Sequence, residues 1–329
     1  MEKLLSVSVA AYNIEKYINQ CLDSFICPNT IDAVEVLVVV DGATDNTLEI
    51  AREYETRYPS VFKVIDKQNG GWGSTVNAAL TAATGRYFRL LDGDDYYVNE
   101  NLQEYVYFLG HCSADVVQTP YIEFEDVTNL VHKTVGFSAE PKVLYQVSDV
   151  WNQIMTAMHA CTFRTDLLRQ NGIRITEKCF YTDIEYTLKC LDVSKTVLFW
   201  EKPIYMYRVA RENQSVSAAG LKKHGKEHLQ VLHGLLEYEQ TQLREPFRCC
   251  FRERLKEMVC VQYSIFLIQE PTAENLRRLK AFDLKIRNDF PHYDLYRRKK
   301  LDLVRKLNYH GMYPIFNVLW LLEKLRGRN

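Results

Sequence analysis

Residues 87–95 read YFRLLDGDD, in which an apolar run leads directly into three carboxylates on one short turn. The run is typical of a buried strand, and Gly93 lets the backbone turn tightly behind it. Like charges this close repel each other, so a cation or hydrogen-bond donors usually lie nearby. Oxygen ligands at this spacing suit Mg²⁺ or Mn²⁺, which commonly arrive with the phosphates of a substrate. The stretch therefore predicts a strand that ends in a cation site, with a solvated acidic turn as the alternative.

On the amino-terminal side of this turn, the sequence alternates between strand and helix patterns. Strands are predicted at 4–10, 34–40 and 62–65, and helices at 14–25, 45–58 and 74–83. This alternation predicts an α/β fold with a mostly parallel sheet flanked by helices. Asn13, Asp41 and Asp92 each follow a strand, and ligands of such sheets collect beyond the carboxyl ends of the strands. We therefore expect these three side chains to share one crevice.

The carboxyl-terminal part of the chain changes character. Shorter strand patterns occur at 116–135, 161–164, 197–200 and 204–208. Long helical periodicity begins after residue 221, so we predict an α/β domain over 1–220 and a helical region over 221–329. The basic run 297–300 precedes apolar residues at helical spacing. Such a helix can pack on the α/β domain or lie on an anionic membrane, and both interpretations are left open.

Composition and charge narrow the class of protein. The chain has 329 residues and a net charge of -1, so no overall field favours nucleic acid. Its nine cysteines lack metal-type CxxC spacing, which indicates reduced thiols. The first residues, MEK, pass directly into a strand pattern, and no apolar run reaches transmembrane length. We expect a cytoplasmic protein without a signal peptide, with peripheral contact at the inner face of the membrane left open.

Five short motifs follow one another along the first part of the chain. They are SVAAYN at 8–13, VDGATDNT at 40–47, NGGWGSTVN at 69–77, LDGDD at 91–95 and YTDIEY at 181–186. In this order they make the chain resemble a family 2 glycosyltransferase of the bacterial capsule and surface-glycan type. The resemblance implies a GT-A fold and an inverting transfer of a sugar from a nucleotide-diphosphate donor, with UDP as the expected nucleotide.

The first two motifs concern the nucleotide base. The resemblance implies that Ala11, Tyr12 and Asn13 hold the base, with Tyr12 packed on uracil. An aromatic residue that closes the edge of the sheet is the alternative for Tyr12. Asp41 is implied to accept a hydrogen bond from the N–H of the uracil ring, a task that suits an acceptor-only carboxylate.

The third motif is glycine-rich and enters a predicted helix. The resemblance implies that Gly71 and Asn77 lie beside the nucleotide. Where many relatives carry arginine before the asparagine, this chain has Val76, which removes one expected cation. Tight packing of the helix is the alternative explanation for the glycines.

The last two motifs carry the implied chemistry. Asp94 is implied to bind the metal, Mn²⁺ or Mg²⁺, while Asp92, next to Gly93, contacts the ribose or the donor sugar. Asp183 stands where the family has the base that takes the proton of the acceptor hydroxyl. A helix N-cap is the alternative for Asp183. Glu185 is a further candidate for supporting the base or binding the acceptor.

Residues 207–217 resemble a loop that relatives fold over the diphosphate. Arg208 or Arg211 is therefore expected to pair with phosphate through two parallel hydrogen bonds. Gln214 or Ser215 is expected to reach the acceptor. Ordinary salt bridges within a loop are the alternative for this segment.

Two histidines complete the set of candidate site residues. His159 precedes a strand pattern and is a candidate for facing the acceptor, although a lone histidine is more often structural. His228 is a candidate for completing the shell of the metal. Neither assignment follows from the five motifs.

These features together predict a metal-dependent inverting glycosyltransferase. Its partners would be a UDP-sugar donor and a glycan, lipid-linked or glycoprotein acceptor, without nucleic acid, and a homodimer is left open. A sugar-nucleotide nucleotidyltransferase is one alternative, although the glycine- and basic-rich amino-terminal signature of that group is missing. A catalytically silent carbohydrate- or nucleotide-binding scaffold is another, and intact Asp92, Asp94 and Asp183 argue against it.

Overall fold

A computed structural model describes residues 3–26, 32–209, 218–270, 272–294, 299–306 and 309. The chain divides into two compact units. The first comprises Met1–Glu212 and Gln242–Cys250, and the second comprises Asn213–Thr241 and Phe251–Asn329. The sequence predicted a division near residue 220. In the structure the first unit runs to Glu212 and also includes residues 242–250.

The strands of the first unit form two sheets. In chain order they are β1 (Leu5–Ala11), β2 (Val34–Asp41), β3 (Phe62–Lys67), β4 (Tyr87–Asp92), β5 (Tyr96–Tyr97), β6 (Val116–Gln118), β7 (Tyr121–Glu125), β8 (Val131–Val135), β9 (Leu144–Gln146), β10 (Cys161–Arg164), β11 (Thr196–Phe199) and β12 (Tyr205–Val209). The eight-stranded sheet has the order β3-β2-β1-β4-β10-β6-β11-β9, and the four-stranded sheet has the order β5-β12-β7-β8. The strand patterns in the sequence predicted these elements except β5 and β9, which are only two and three residues long.

Helices flank the large sheet and make up the second unit. Those described are α1 (Ile18–Asp23), α2 (Thr47–Arg57), α3 (Trp72–Ala82), α4 (Asn99–His111), α5 (Thr165–Gln170), α6 (Thr182–Val193), α7 (Ala218–Thr241), α8 (Arg248–Ile268), α9 (Ala273–Asp289) and α10 (Lys299–Lys306). The helix predicted at 14–25 is shorter than expected. Its first part is a turn, in which the amide of Ile14 donates to Oγ1 of Thr47, 2.9 Å away.

The parallel part of the large sheet brings three strand ends together. β1 pairs in parallel with β2 and with β4, so that Ala11 lies opposite Val40 and Ala10 opposite Asp92. All eight residues of β2 are buried, as expected for a parallel strand covered on both faces. The strand ends that precede Asn13 and carry Asp41 and Asp92 are therefore neighbours, as the sequence predicted.

The small sheet lies next to the acidic turn. β5 begins directly after Asp95 and pairs with β12, so that Tyr97 lies opposite Tyr205. β12 also pairs in parallel with β7. This arrangement brings β12 to the acidic turn, although more than a hundred residues separate the two in sequence.

The second unit consists of helices with a buried polar network. The carboxylate of Asp283 accepts hydrogen bonds from the hydroxyl of Tyr263, 2.7 Å away, and from Arg305, 2.5 Å away. Leu301 and Val304 of α10 are fully buried. Arg297 and Arg298 of the basic run and the apolar positions beyond α10 lie outside the described residues. Among the helices that the structure does describe, none is both long and apolar enough to span a membrane.

Candidate active site

Asp41 at the end of β2 organises the nucleotide side of the crevice. Its buried carboxylate accepts hydrogen bonds from the amides of Gly70 (2.9 Å) and Gly71 (2.8 Å). Lys67, the last residue of β3, places Nζ 2.7 Å from the same carboxylate. The chain thus supplies both a cation and amide donors to this carboxylate. The hydrogen bond that Asp41 is predicted to accept from the uracil ring is not tested by these contacts.

The glycine-rich segment after β3 packs tightly against the residues before α6. Gly71 has a φ of 77°, and a Cβ on it would lie 3.2 Å from the backbone of Lys178. A Cβ on Gly73 would lie 2.1 Å from the carbonyl oxygen of Thr176. These contacts support tight packing as a reason for the glycines. The predicted nucleotide contacts of Gly71 and Asn77 are not tested by them.

The end of β1 presents one exposed aromatic ring. The Tyr12 residue is 52% exposed, whereas Ala11 beside it is buried. Asn13 adopts a left-handed φ of 52°, and its Oδ1 accepts a hydrogen bond from the amide of Thr44, 2.8 Å away. An exposed ring on a fixed turn is available to a planar ligand. The role predicted for this segment in base binding remains a prediction.

Hydrogen bonds from several elements hold the acidic turn in place. Oδ1 of Asp92 accepts a hydrogen bond from the indole N–H of Trp72, 2.8 Å away. Asp95 is 2% exposed and accepts hydrogen bonds from the hydroxyl of Tyr205 and from the amide of Arg208, both at 2.7 Å. A Cβ on Gly93 would lie 2.8 Å from the carbonyl oxygen of Ala10, so only glycine fits this close approach.

The carboxylates of the turn create a strongly negative environment. Burial raises the pKa of Asp95 well above its usual range, and the charges of Asp94 and Asp92 raise it further. The pKa of Tyr207 is also raised, by burial and then by the charges of Asp95, Asp92, Asp183 and Asp94. The charge of Asp183 thus acts on Tyr207 together with the charges of the turn.

Asp183 lies in the first turn of α6. The N-cap of this helix is Tyr181, in a left-handed conformation with a φ of 64°, so Asp183 is not the N-cap residue. The carboxylate of Glu185 accepts hydrogen bonds from the amide of Thr176 (3.0 Å) and from Lys189 (2.6 Å). The roles predicted for Asp183 as base and Glu185 in acceptor binding remain predictions.

Three side chains at the turn have the chemistry of a metal site. One ligand atom from each of Asp92, Asp95 and His159 lies within 4.8 Å of the others. Burial and then the charge of Arg89 lower the pKa of His159 to about 3, so its imidazole is neutral and can act as a ligand. Two carboxylates and a neutral imidazole fit a divalent cation such as Mn²⁺. Asp94, the ligand predicted from the sequence, does not belong to this group.

Buried Arg89 on β4 positions the backbone of His159. It donates to the carbonyl oxygen of His159, to Oγ1 of Thr162 (2.7 Å) and to Oγ1 of Thr119 (3.0 Å). The ring of His159 packs on that of Tyr207, with centroids 4.1 Å apart. His159 thus faces the acidic turn. Its predicted contact with the acceptor is untested.

Arg208 is placed differently from what its predicted phosphate contact requires. It is only 5% exposed, and its guanidinium donates to the carbonyl oxygen of Asp94, to Asp126 and to Gln20, each at 2.7 Å. It also lies 4.8 Å from the centre of the Tyr17 ring. In this arrangement Arg208 braces the backbone of the acidic turn. A phosphate contact stays a prediction.

The other candidates lie elsewhere. Arg211, Gln214 and Ser215 fall outside the described residues. His228 lies in the helical unit, where its Nδ1 is 2.8 Å from Oε1 of Gln262. Its predicted role in the metal shell is not tested.

Sequence reasoning missed several residues of the crevice. Trp72 stands inside a recognised motif, so an aromatic residue among glycines was the available signal. Lys67 carried no local signal, because its pairing with Asp41 depends on the register between β2 and β3. Tyr205 was hidden in an ordinary strand pattern, and Tyr207 stands at the start of the recognised segment 207–217.

Comparisons with known proteins agree with this geometry. The model of glycosyl transferase family 2 matches residues 6–172, just over half of the chain. EpsH of Bacillus subtilis is 24% identical over 286 residues, which cover 84% of this chain and 79% of EpsH. The glycosyltransferase MG025 of Mycoplasma genitalium is 35% identical over 217 residues, covering 61% of this chain and 72% of MG025.

A solved structure shares the fold. The crystal structure of Staphylococcus aureus TarS residues 1–349 in complex with UDP-GlcNAc superposes with a TM-score of 0.67 at 22% identity. The match covers 99% of this chain and 92% of that one. The predicted α/β architecture is thereby confirmed.

Proposed function

The chain belongs to glycosyl transferase family 2, and from that premise we propose that it moves a sugar from a UDP-sugar to a hydroxyl group of a glycan acceptor. The observation that carries this proposal is the cluster of Asp92, Asp95 and His159 beside the end of β4, in which one ligand atom from each residue lies within 4.8 Å of the others. Such a cluster offers charges that a cation can bridge, and Asp183 in the first turn of α6 offers a base. A silent scaffold requires neither.

UDP is the proposed nucleotide for two reasons. The crystallised neighbour TarS was solved with UDP-GlcNAc. In this chain, the exposed ring of Tyr12 and the carboxylate of Asp41 stand at neighbouring strand ends, where a base can stack and donate its ring N–H.

The acidic turn is proposed to hold a divalent cation through Asp92, Asp95 and His159. When bound, such a cation neutralises the charge that develops on the departing diphosphate. The protein contributes the rigid placement of the ligands: Trp72 fixes Asp92, and Tyr205 fixes Asp95. Fixed charges of this kind cost no reorganisation during the reaction.

Asp183 is proposed to act as the base. It accepts the proton of the acceptor hydroxyl, whose oxygen forms a bond to the anomeric carbon of the sugar. The bond between that carbon and the diphosphate oxygen breaks, and UDP leaves. Attack on the face opposite the leaving group inverts the configuration of the carbon, so we propose an inverting transferase that builds surface polysaccharide or glycoconjugate.

The test is the substitution Asp183→Asn, which preserves shape and removes the basic oxygen. Transfer should fall about 10²- to 10⁴-fold, the usual contribution of a positioned base. UDP affinity by calorimetry should stay nearly unchanged, which serves as the folding control. Full transfer by this variant would remove Asp183 from the mechanism. A wild-type chain that binds UDP but transfers no sugar from a panel of UDP-sugars would favour the scaffold.

A further inference from the structure

The segment of residues 175–178, here called the bridge, connects two parts of the proposed site. On one side lies α3 with the glycine-rich loop that holds Asp41. On the other side lies α6, which carries Asp183. All of these elements belong to the first unit. The bridge makes hydrogen bonds to both α3 and α6.

Asn77 ties the bridge to α3. Its side-chain amide pairs in both directions with the backbone of Ile175, donating to the carbonyl oxygen (2.8 Å) and accepting from the amide (2.9 Å). The same Nδ2 lies 3.0 Å from Oε1 of Glu177. Paired bonds of this kind fix both the position and the direction of the bridge along α3.

The glycine-rich loop ties the bridge to Asp41. The amide of Lys178 donates to the carbonyl oxygen of Gly70 at 2.5 Å. On its other side, the amide of Gly70 donates to the carboxylate of Asp41 at 2.9 Å. Gly70 therefore links the bridge to the carboxylate of Asp41, which is predicted to bind the nucleotide base. Any movement of the loop must move Lys178.

Glu185 ties the bridge to α6. Its carboxylate accepts hydrogen bonds from both the amide (3.0 Å) and the hydroxyl (3.2 Å) of Thr176. Lys189, one turn farther along α6, neutralises it at 2.6 Å. Glu185 is 6% exposed and lies two residues after Asp183. The bridge is thus fastened within one helical turn of the proposed base.

The backbone between the bridge and α6 is tightly constrained. Lys178 and Tyr181 both adopt left-handed φ angles, 53° and 64°, which residues other than glycine rarely do. Such conformations persist only where surrounding contacts hold them. The backbone that connects the bridge to Asp183 therefore has little conformational freedom.

We infer that Asn77 and Glu185 are positioning residues that couple occupancy of the nucleotide loop to the placement of Asp183. A nucleotide that orders the loop around Asp41 orders the bridge through Gly70 and Asn77, and the bridge orders the first turn of α6 through Glu185. Coupling between two sites is reciprocal, so acceptor-side order must also favour the nucleotide. The inference rests on the proposed function, because it presupposes that a nucleotide binds at the loop.

The first test is Asn77→Ala, with Thr81→Ala as the matched control one turn farther along α3. Thr81 contacts only the carbonyl oxygen of Asn77 through its hydroxyl, so the control leaves the bridge intact. In Asn77→Ala, kcat for transfer should fall about 100-fold, the scale of a misplacement of about 1 Å in a catalytic group. UDP affinity and thermal stability should change far less.

Hydrogen exchange supplies a readout that does not depend on activity. In the wild-type chain, UDP should slow amide exchange both in residues 69–73 and in residues 176–186. In Asn77→Ala, protection should persist in 69–73 and disappear from 176–186. Where Asn77→Ala fails to fold, Glu185→Ala gives the same test, because it removes both hydrogen bonds that fasten Thr176 of the bridge to α6.

The possible outcomes separate the inference from the proposed function. UDP binding that leaves exchange in 176–186 unchanged in the wild-type chain overturns the inference alone. A loss of UDP affinity in Asn77→Ala that equals its loss of kcat/KM would make Asn77 a nucleotide contact, and would overturn it as well. A wild-type chain that binds no UDP overturns the proposed function and, with it, the inference.

Discussion

At the end of β2 the carboxylate of Asp41 meets a lysine and two backbone amides, whereas at the end of β4 the carboxylate of Asp95 is crowded by those of Asp92 and Asp94. The two clusters stand at strand ends on either side of β1. The chain itself neutralises the first cluster, and the second carries negative charge that raises the pKa of Asp95 and of nearby tyrosines. The first cluster is suited to reading a neutral base, and the second is suited to receiving a cation.

The largest expected effect comes from Asp92→Asn. The new amide can still accept the hydrogen bond of Trp72, so the change removes charge and little else. The stimulation of UDP binding by Mn²⁺ should be lost, and transfer should fall at least about 100-fold, because changes to groups that merely support metal ligands already cost 10- to 100-fold. UDP titrations with increasing Mn²⁺ measure the effect.

Asp94→Asn, measured in the same way, separates the two assignments of the metal. The geometry expects a smaller loss than in Asp92→Asn. A larger loss in Asp94→Asn would show that Asp94 is the metal ligand, as the sequence predicted.

The next effect is that of Asp41→Asn. It removes a charged acceptor that the base is proposed to use, so UDP affinity should fall about tenfold, the scale of one hydrogen bond to a charged group. The fall should be the same with and without Mn²⁺, since this cluster is already neutralised by Lys67. A change in the ratio of the two affinities would mean that the clusters are not independent.

The smallest effect is expected from His159→Gln. Loss of the imidazole removes a nitrogen ligand, which favours Mn²⁺ over Mg²⁺. The preference for Mn²⁺ should therefore shrink several-fold while Mg²⁺-supported transfer changes less. Electron paramagnetic resonance of bound Mn²⁺ should lose its nitrogen coupling. A spectrum identical to that of the wild-type chain would exclude His159 as a ligand.

The positions of Asp41 and Asp92 could be predicted from the sequence, because parallel strands with short turns bring polar residues to one edge of a sheet. The resemblance to the family placed Asp183 at the start of a helix, and it lies in the first turn of α6. Periodicity, turn residues and motif order are local properties, so they can be read without coordinates. The bounds of β1, β2 and β4 differ from the predicted ones by only one residue.

The side chains that surround these residues could not be predicted in the same way. Lys67 reaches Asp41 because β3 pairs with β2 in the register that puts the two residues opposite each other. His159 reaches the acidic turn because β10, which follows it, runs antiparallel beside β4. Arg208 contacts the backbone of the turn because its strand, β12, pairs with β5, which directly follows the turn. The phosphate contact expected of Arg208 stays a prediction. Strand order and register are long-range properties that no local pattern contains.

The most direct test of the contrast between the two clusters is calorimetry of UDP with the wild-type chain, in EDTA and in Mn²⁺. The account predicts measurable binding in EDTA, supported by the Asp41 cluster, and binding at least about tenfold tighter in Mn²⁺, which corresponds to about 1.4 kcal/mol of added binding free energy. Equal affinity under both conditions, or no binding of UDP in either, would contradict it.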